Sequence, residues 1–371
     1  MTSRHYLDHA STSPARPSVV EAMIPRLGGG ADPGRVHTEG RIARGVIEEA
    51  REQVAALLGA RGREVVFTSG GTDAINAATW GASERGTQVV CPEVEHSAVR
   101  DASERLDVTW VGVDATGRVD PDRMMAAVQP GRTALVHLQW GNHEVGTLQP
   151  VTEVVAACRA AGVLVHIDAA QAAGHVAVDF DALGADLMSV SAHKLGGPHG
   201  AGALLVRRGL RVRPLLVGGE QERARRAGME NVAAIAGFGA AAVALDSGTL
   251  EAEARIARAQ TERLLDAALA VDDVAAYGDP HQRLPHLVCV GVEGVEAEAV
   301  LLGLDQAGVA AHSGSACSSE SLEPSPVLAA MGVDAERSLR LSVGWSTTDD
   351  DVAAFAEAFP RVVARLRALR P

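Results

Sequence analysis

The chain has 371 residues, of which 47% are hydrophobic, and its 34 lysines and arginines against 47 aspartates and glutamates give a formal net charge of -13. This composition predicts a globular protein of about two domains, and the negative charge argues against nucleic-acid binding through phosphate contacts. No leader-like pattern opens the sequence and the longest nearly uncharged apolar run, residues 232–245, is too short to cross a bilayer, so we expect a cytoplasmic protein.

Short apolar runs alternate with helical patterns over the first two thirds of the chain. Most of these runs are uniformly apolar, which is typical of strands covered on both faces. Helices are predicted between them, for example at residues 46–59 and at 151–162, where Gly162 is a stop signal. The alternation predicts an α/β fold with a mainly parallel seven-stranded sheet. The predicted strands are residues 64–70, 87–92, 108–113, 133–140, 163–170, 185–192 and 202–208.

The pattern changes after residue 248. A long charged helix is predicted at residues 251–270, followed by strands near 285–292 and 338–344 and by a closing helix. Helices and strands that do not alternate strictly indicate a smaller α+β domain.

Residues that could bind a ligand or take part in catalysis follow four of the predicted strands. In an open α/β sheet, ligands bind at the carboxyl ends of the strands, so these groups share one edge of the sheet. After the first strand, Gly71 and Thr72 open a helix together with Ser69 and Gly70, which predicts either an anion site or a plain N-cap. The other strand ends contribute His96, Asp168, Gln171, Ser191, His193 and Lys194.

One cofactor, pyridoxal 5'-phosphate, matches all of these groups. A Schiff base needs a primary amine that loses its proton when desolvated, which Lys194 supplies and an arginine does not. Asp168 suits the protonated ring nitrogen, Gln171 the phenolate oxygen, and His96 ring stacking or proton relay. Each residue alone has a plain structural explanation, but their joint placement at strand ends favours the cofactor. The phosphate group is assigned to Ser69, Thr72, Ser191 and His193, with Gly71 as a further cofactor-binding residue at the start of the helix.

Eight segments carry a resemblance to a known family. Their residues, among them SAHKLGGPHGAGAL at 191–204 and SGSACSSESLEPSPVL at 313–328, resemble the motifs of class I, iron–sulfur-cluster type cysteine desulfurases in the class V aminotransferase family. The resemblance implies a pyridoxal-phosphate-dependent transferase of fold type I that forms a homodimer. It also implies a large domain of residues 12–247 and a small domain of residues 1–11 and 248–371. The segments are residues 6–17, 67–78, 95–99, 142–150, 166–174, 191–204, 218–231 and 313–328.

Cys317 differs from Cys91, Cys158 and Cys289 in its sequence surroundings. Small and polar residues surround it in segment 311–326 without a strand or helix period, so we expect a mobile surface loop with a reactive thiol. None of the four cysteines shows C-x-x-C spacing and they are too few for a disulfide framework, so all are expected to be reduced. The other three are compatible with core positions.

The resemblance implies a reaction and three catalytic residues, Lys194, His96 and Cys317. Lys194 removes the α-proton of the substrate L-cysteine, and the Cys317 thiolate attacks the substrate sulfur. The products are L-alanine and a persulfide on Cys317, which is delivered to a sulfur-acceptor protein.

Substrate binding is assigned to Asn142, His143 and Arg340. Arg340 matches the family position that binds the substrate carboxylate, with a structural arginine as the alternative. The chain departs from the family pattern at His143, where asparagine is common, at Met229, where a threonine donates to the cofactor phosphate, and at Trp345, where arginine is common. These departures leave cofactor retention, turnover and the preference between cysteine and selenocysteine open.

Two alternatives compete with this interpretation. One is another fold-type I enzyme, such as a selenocysteine lyase, a β-lyase or an aminotransferase, for which Cys317 is dispensable. The other is a non-catalytic homologue that binds partners. A metal enzyme is disfavoured because the sequence has no H-E-x-x-H pair. The acceptor and the pathway, for example cluster assembly or tRNA thiolation, stay open.

Overall fold

The computed structural model describes residues 4–28, 31–313 and 325–369, so Cys317 lies outside the described residues. Its strands are β1 (His5–Tyr6), β2 (Val65–Thr68), β3 (Gln88–Pro92), β4 (Asp107–Val111), β5 (Thr133–Gln139), β6 (Leu164–Asp168), β7 (Leu187–Ser191), β8 (Gly202–Val206), β9 (Val274–Tyr277), β10 (Leu287–Val292), β11 (Val309–Ala310), β12 (His312–Ser313) and β13 (Ser338–Ser342). Its helices are α1 (Pro17–Leu27), α2 (Thr38–Leu57), α3 (Gly71–Ala82), α4 (Ser97–Ser103), α5 (Pro121–Ala127), α6 (Val151–Ala161), α7 (Phe180–Leu183), α8 (Gln221–Ala224), α9 (Val232–Ala244), α10 (Ser247–Leu269), α11 (Ala297–Gln306), α12 (Pro326–Ala330) and α13 (Asp349–Ala368).

A seven-stranded sheet forms the larger layer of the fold, in the order β2-β8-β7-β6-β5-β3-β4. Neighbouring strands are parallel except at β8, which is antiparallel to both β2 and β7. The predicted mainly parallel sheet is therefore confirmed. The sequence did not indicate the reversal of β8. The link from Ser191 to Gly202 contains one short turn, too little for the crossover helix that a parallel connection needs.

The larger hydrophobic core lies between this sheet and the helices that cover it. Ile47 of α2 and Phe238 of α9 are fully buried there, and burial of each such side chain stabilises the fold by about 2 kcal/mol. The two helices approach closely at Gly239, where an added Cβ would lie 2.8 Å from the Cα of Ala50. A larger residue at this position would force the helices apart. The predicted helix 151–162 is α6, and Gly162 ends it in the left-handed region with φ 69°.

A buried ion pair ties the segment before α9 to α2. Arg51 and Glu222 are 1% and 2% exposed, and two hydrogen bonds of 2.6 and 2.8 Å join the guanidinium to the carboxylate. The carboxylate also accepts from the main-chain nitrogen of Phe67 at the edge of β2, over 2.9 Å. Glu222, Arg223 and Ala224 all have φ between 51° and 59°, which costs about 1 kcal/mol or more for each non-glycine residue. The ion pair and the hydrogen bond to Phe67 fix the segment against the sheet.

The chain after α9 builds a second, smaller layer. Its antiparallel sheet has the order β12-β13-β10-β9, and α10, α11 and α13 pack on it around Phe355 and Phe359, whose rings stack at 5.0 Å. β10 and β13 are the strands predicted near 285–292 and 338–344, whereas β9, which is short and partly exposed, was not predicted. β1 pairs in parallel with β11, so the N-terminal segment joins this layer. The domain boundaries stay a prediction.

No single helix among the described residues is long and apolar enough to span a membrane. α9 and α10 meet that requirement only when taken together, and the chain bends by 79° between them. Most of α9 is buried against the larger core, which accounts for its apolar composition.

Candidate active site

A cavity of about 250 Å³ lies at the carboxyl edge of the large sheet, where β6 and β7 end. The side chain of Gln139, the last residue of β5, also lines it beside Asp168, so the strand-end rule points to this residue as well. Asn142 and Arg340 are not part of the wall, and the predicted thiol of Cys317 lies outside the described residues. The predicted residues that line the cavity are Gly71, Thr72, His96, His143, Asp168, Gln171, Ser191, His193 and Lys194.

Lys194 is the only lysine in the sequence. It lies in a single helical turn, Ala192–Leu195, directly after β7, and its side chain is half-buried. Its Nζ donates a hydrogen bond to the carbonyl oxygen of Ala10. Nε2 of Gln171 donates to the same oxygen over 2.8 Å. The N-terminal segment therefore supplies an acceptor that sequence analysis missed, because a main-chain carbonyl has no residue signature.

Asp168 is the last residue of β6 and is 8% exposed. Its Oδ1 accepts hydrogen bonds from the main-chain nitrogen of Ala170 over 3.1 Å and from Oγ of Ser189 over 3.0 Å. A buried carboxylate costs free energy unless donors or a cation compensate it. Both of these donors come from the sheet edge itself, so the fold holds a carboxylate at the cavity wall in a fixed orientation.

His96 is the N-cap of α4 and lies beside the cavity. Its Nδ1 accepts a hydrogen bond from the main-chain nitrogen of Ala98 over 3.0 Å, so Nε2 carries the proton in the neutral ring. Burial, reinforced by the neighbouring His143 and Lys194, lowers the pKa of His96 to about 3. The imidazole is therefore neutral at physiological pH and covers the cavity without adding positive charge.

A turn at Asn142 presents His143 to the cavity. Oδ1 of Asn142 accepts from the main-chain nitrogens of Glu144 and Val145, each over 2.8 Å, and Nδ2 donates to the carbonyl of Val94 over 3.2 Å. The Asn142 side chain is thus engaged within the protein, and its part in substrate binding stays a prediction. Burial and then the charge of Arg340 lower the pKa of His143 to about 3. Its ring meets that of His96 edge to face at 4.9 Å.

Arg340 lies on β13 of the smaller layer and is 5% exposed. One terminal nitrogen donates to Oδ1 of Asp8 over 2.8 Å and to Oγ of Ser11 over 2.9 Å, and the other donates to the carbonyl of His143 over 2.9 Å. Its Nε is buried and has no hydrogen-bond partner within the described ranges. The guanidinium thus joins the N-terminal segment to the His143 turn, and its contact with a substrate carboxylate stays a prediction.

The first turn of α3 lies next to Ser191 at the cavity. A Cβ on Gly71 would lie 3.6 Å from that of Ser191, so the free main-chain N–H groups of the helix start are close to the end of β7. Ser69 is directed elsewhere, because its main-chain nitrogen and Oγ both donate to Oδ2 of Asp73. On the opposite side, Nδ1 of His193 is 3.2 Å from Oγ1 of Thr12.

The three described cysteines are buried and have the properties of core residues. Burial raises the pKa of the Cys158 thiol to about 12 and those of Cys91 and Cys289 even further. A thiol is nucleophilic only as the thiolate, so none of these three is suited to the chemistry expected of Cys317.

Two residues at which the chain departs from the family pattern lie outside the cavity. Nε1 of Trp345 donates to the carbonyl of Pro14 over 2.8 Å, and the guanidinium of Arg16 lies 5.6 Å from its ring centroid. The tryptophan thus holds the N-terminal segment in place. Met229 is 69% exposed and contributes nothing to the described cavity.

Residues 5–355 match the aminotransferase class-V family, which defines the class of enzymes to which this fold belongs. An IscS-like cysteine desulfurase of Mycobacterium tuberculosis is 43% identical over 383 residues, covering 98% of this chain and 97% of that protein. Cysteine desulfurase IscS of Dictyoglomus turgidum is 39% identical over 382 residues, covering 99% and 96%. The X-ray structure of a NifS-like protein from Rickettsia africae has a TM-score of 0.89 at 29% identity, covering 97% and 99%. The chain belongs to the cysteine desulfurases of the class-V aminotransferase family, as the sequence motifs predict.

Proposed function

We propose that this protein is a pyridoxal-phosphate-dependent cysteine desulfurase, which converts L-cysteine to L-alanine and passes the sulfur through Cys317 to an acceptor protein. The observation that carries the proposal is the convergence of Lys194, Asp168 and His96 on one cavity of about 250 Å³. Packing of the sheet edge does not by itself require an amine, a fixed carboxylate and a neutral imidazole in one cavity, whereas the proposed reaction uses all three.

The donor set fits pyridoxal phosphate. When bound, this cofactor supplies an electron sink that stabilises negative charge on the substrate α-carbon. The Asp168 carboxylate is held ready to keep a proton on the ring nitrogen, and neutral His96 is suited to pack against the ring. Main-chain N–H groups at Gly71 and Thr72, with Ser191 and His193, would hold the phosphate.

The chemistry of the chain itself starts at Lys194. Its amine would hold the cofactor, and Nζ of the free amine would take the substrate α-proton. The Cys317 thiolate forms a bond to the substrate sulfur as the bond between that sulfur and Cβ breaks. One proton delivered to Cβ and one returned to the α-carbon complete L-alanine. The balance is one L-cysteine and one thiol giving one L-alanine and one persulfide.

We further propose a homodimer in the cytoplasm. Apolar side chains are exposed on α1, on α2 and on the segment before α9, and a second copy of the chain could cover them. Examples are Ile24, Ile42 and Val217, which are 61%, 55% and 78% exposed. Arg44 of α2 lies 3.6 Å from Glu230, which brings two of these regions together. Met229 belongs to the same segment, where the family resemblance implies a contact with the partner's cofactor. Sedimentation of the purified protein tests the dimer.

The first test measures the visible spectrum, then alanine and sulfide released from L-cysteine with a reductant present. Wild type is compared with Cys317→Ala, and Cys158→Ala serves as the matched control because its thiol is buried and protonated. We expect the cofactor band in all three proteins and loss of both products only in Cys317→Ala. Turnover that survives in Cys317→Ala would instead establish another pyridoxal-phosphate reaction. A protein without the cofactor band would support the non-catalytic alternative.

A further inference from the structure

A second cavity, of about 140 Å³, lies on the other side of Lys194. Lys194 lines both cavities, whereas His175 and His286 line only the smaller one. Their imidazole rings are stacked, with centroids 3.5 Å apart and an interplanar angle of 15°. His286 is fully buried, and neither ring has a part in the reaction proposed above.

The hydrogen bonds show which nitrogen of each ring carries the proton. The Ala10 carbonyl can only accept, so the NH2 group of Gln171 faces it and Oε1 faces Nε2 of His286 at 3.3 Å. That nitrogen must therefore donate. Nε2 of His175 likewise faces the carbonyl of Lys194 at 3.2 Å and must donate to it. Nδ1 of His286 is consequently an acceptor, buried and without a hydrogen-bond partner in the described part of the chain.

Both rings are neutral at physiological pH. Burial lowers the pKa of His175 to about 4 and that of His286 well below its usual value. Arg16 is neutralised by two hydrogen bonds of 2.7 Å to Glu253, which also lines the smaller cavity. The titratable and charged groups around the pair are His9, Arg16, Lys194, Glu253 and Arg340.

We propose that His175 and His286 are positioning residues that fix the orientation of the Gln171 amide and hold Lys194, an inference that rests on the catalytic role proposed for Lys194. The contacts form a closed ring. His175 binds the Lys194 carbonyl and stacks on His286, which fixes the Gln171 amide, and that amide shares the Ala10 carbonyl with Nζ of Lys194. His286 directly precedes β10, so the ring also joins the two layers of the fold.

The ring has a chemical consequence at Nζ. With Oε1 held by His286, the amide presents its NH2 group beside Nζ, which gives the ammonium form no stabilisation. Without the His286 donor, only the Ala10 carbonyl still orients the Gln171 amide, so a rotation that turns its oxygen toward Nζ costs less free energy. A carbonyl oxygen there would stabilise the ammonium and make the amine a poorer proton acceptor.

The first test is NMR of the cofactor-loaded protein with ¹⁵N-labelled histidine. We expect the signals of His175 and His286 to be those of neutral imidazoles protonated at Nε2, and neither should titrate between about pH 6 and 8. Assignment to His175 and His286 comes from their loss in His175→Phe and His286→Phe. A ring protonated at Nδ1, or one that titrates in this range, would overturn the proposal.

The second test is the pH dependence of kcat in His286→Phe, which keeps the ring stack but removes the donor. We expect the acid limb to move up by about one pH unit and kcat near neutral pH to fall about ten-fold, with KM changed less than about two-fold. His286→Gln restores a donor and should recover most of the activity.

The matched control is His137→Phe, which removes another buried histidine that contacts Thr79 and His166 instead. A purely structural role for His286 predicts that both phenylalanine variants lower the melting temperature and leave the pH profile unchanged, which would overturn the proposal. Failure of the proposed function is distinguishable, because wild type would then release no alanine while the NMR result would still stand.

Discussion

The two walls of the larger cavity are built in different ways. On the sheet wall, Asp168 and Lys194 each come directly at or after the end of a strand, and local hydrogen bonds orient the carboxylate. The opposite wall contains His143, whose turn Arg340 of the second layer joins to the N-terminal segment, and that segment holds the Ala10 carbonyl against Lys194. The sheet wall supplies reacting groups through local structure. The opposite wall exists only when three separate parts of the chain are folded together.

Asp168→Asn should produce the largest effect, on the sheet wall. Asparagine keeps the acceptor for Ala170 and Ser189 but loses the negative charge, so we expect kcat/KM for L-cysteine to fall about 10³-fold while unfolding free energy changes by less than about 1 kcal/mol. Steady-state kinetics and urea unfolding measure the two quantities. Asp186→Asn, at a buried carboxylate paired with Arg207, is the control and should affect stability more than kcat. Comparable kcat values in the two variants would contradict the role given to Asp168.

Arg340→Ala should break the opposite wall and leave the sheet wall intact. It leaves the Asp8 carboxylate, 17% exposed, without its cation, so we expect the free energy of unfolding to fall by about 3 kcal/mol. Urea unfolding measures this loss, and the double variant with Asp8→Asn should recover part of it. Arg263→Ala, at an exposed pair with Asp349, is the control and should leave stability unchanged. A variant with normal stability and a raised KM would show that Arg340 acts only as a substrate clamp.

The smallest expected effect is the change in unfolding free energy with pH that is caused by the buried histidines. These histidines occur in both walls and in the core. The pKa of His137, fully buried in β5, is lowered from 6.5 to about 3, so the unfolded chain takes up a proton between these values and the folded protein does not. Its contribution to stability is present above pH 6.5 and is lost as the pH falls below it. Between about pH 7 and 5.5 this single histidine costs about 1 kcal/mol. His137→Gln should lessen the acid loss by that amount in urea unfolding, whereas the exposed His281→Gln should not change it.

The sequence allowed most of the sheet wall to be predicted, because a buried parallel strand is uniformly apolar and the polar residue that ends it is easily recognised. His96, Asp168 and Lys194 were all found in this way. His143 of the opposite wall was predicted as well, but the contacts behind that wall were not, since the Ala10 carbonyl has no side-chain signature and His286 reaches Gln171 across 115 positions in sequence. The direction of β8 was missed for a related reason: apolar composition shows that a strand is buried but not which way it runs.

Because the chain has a single lysine, labelling of amines can measure the fraction of molecules that carry the cofactor. Apart from the α-amino group, an acylating reagent has one amine to modify, and that amine lies at the boundary of the two cavities. Because the bound cofactor would occupy the Lys194 amine, the mass added to intact protein before and after cofactor removal gives the occupied fraction directly. The arginine-rich surface, which lacks competing amines, thereby makes a general labelling reagent specific for one position.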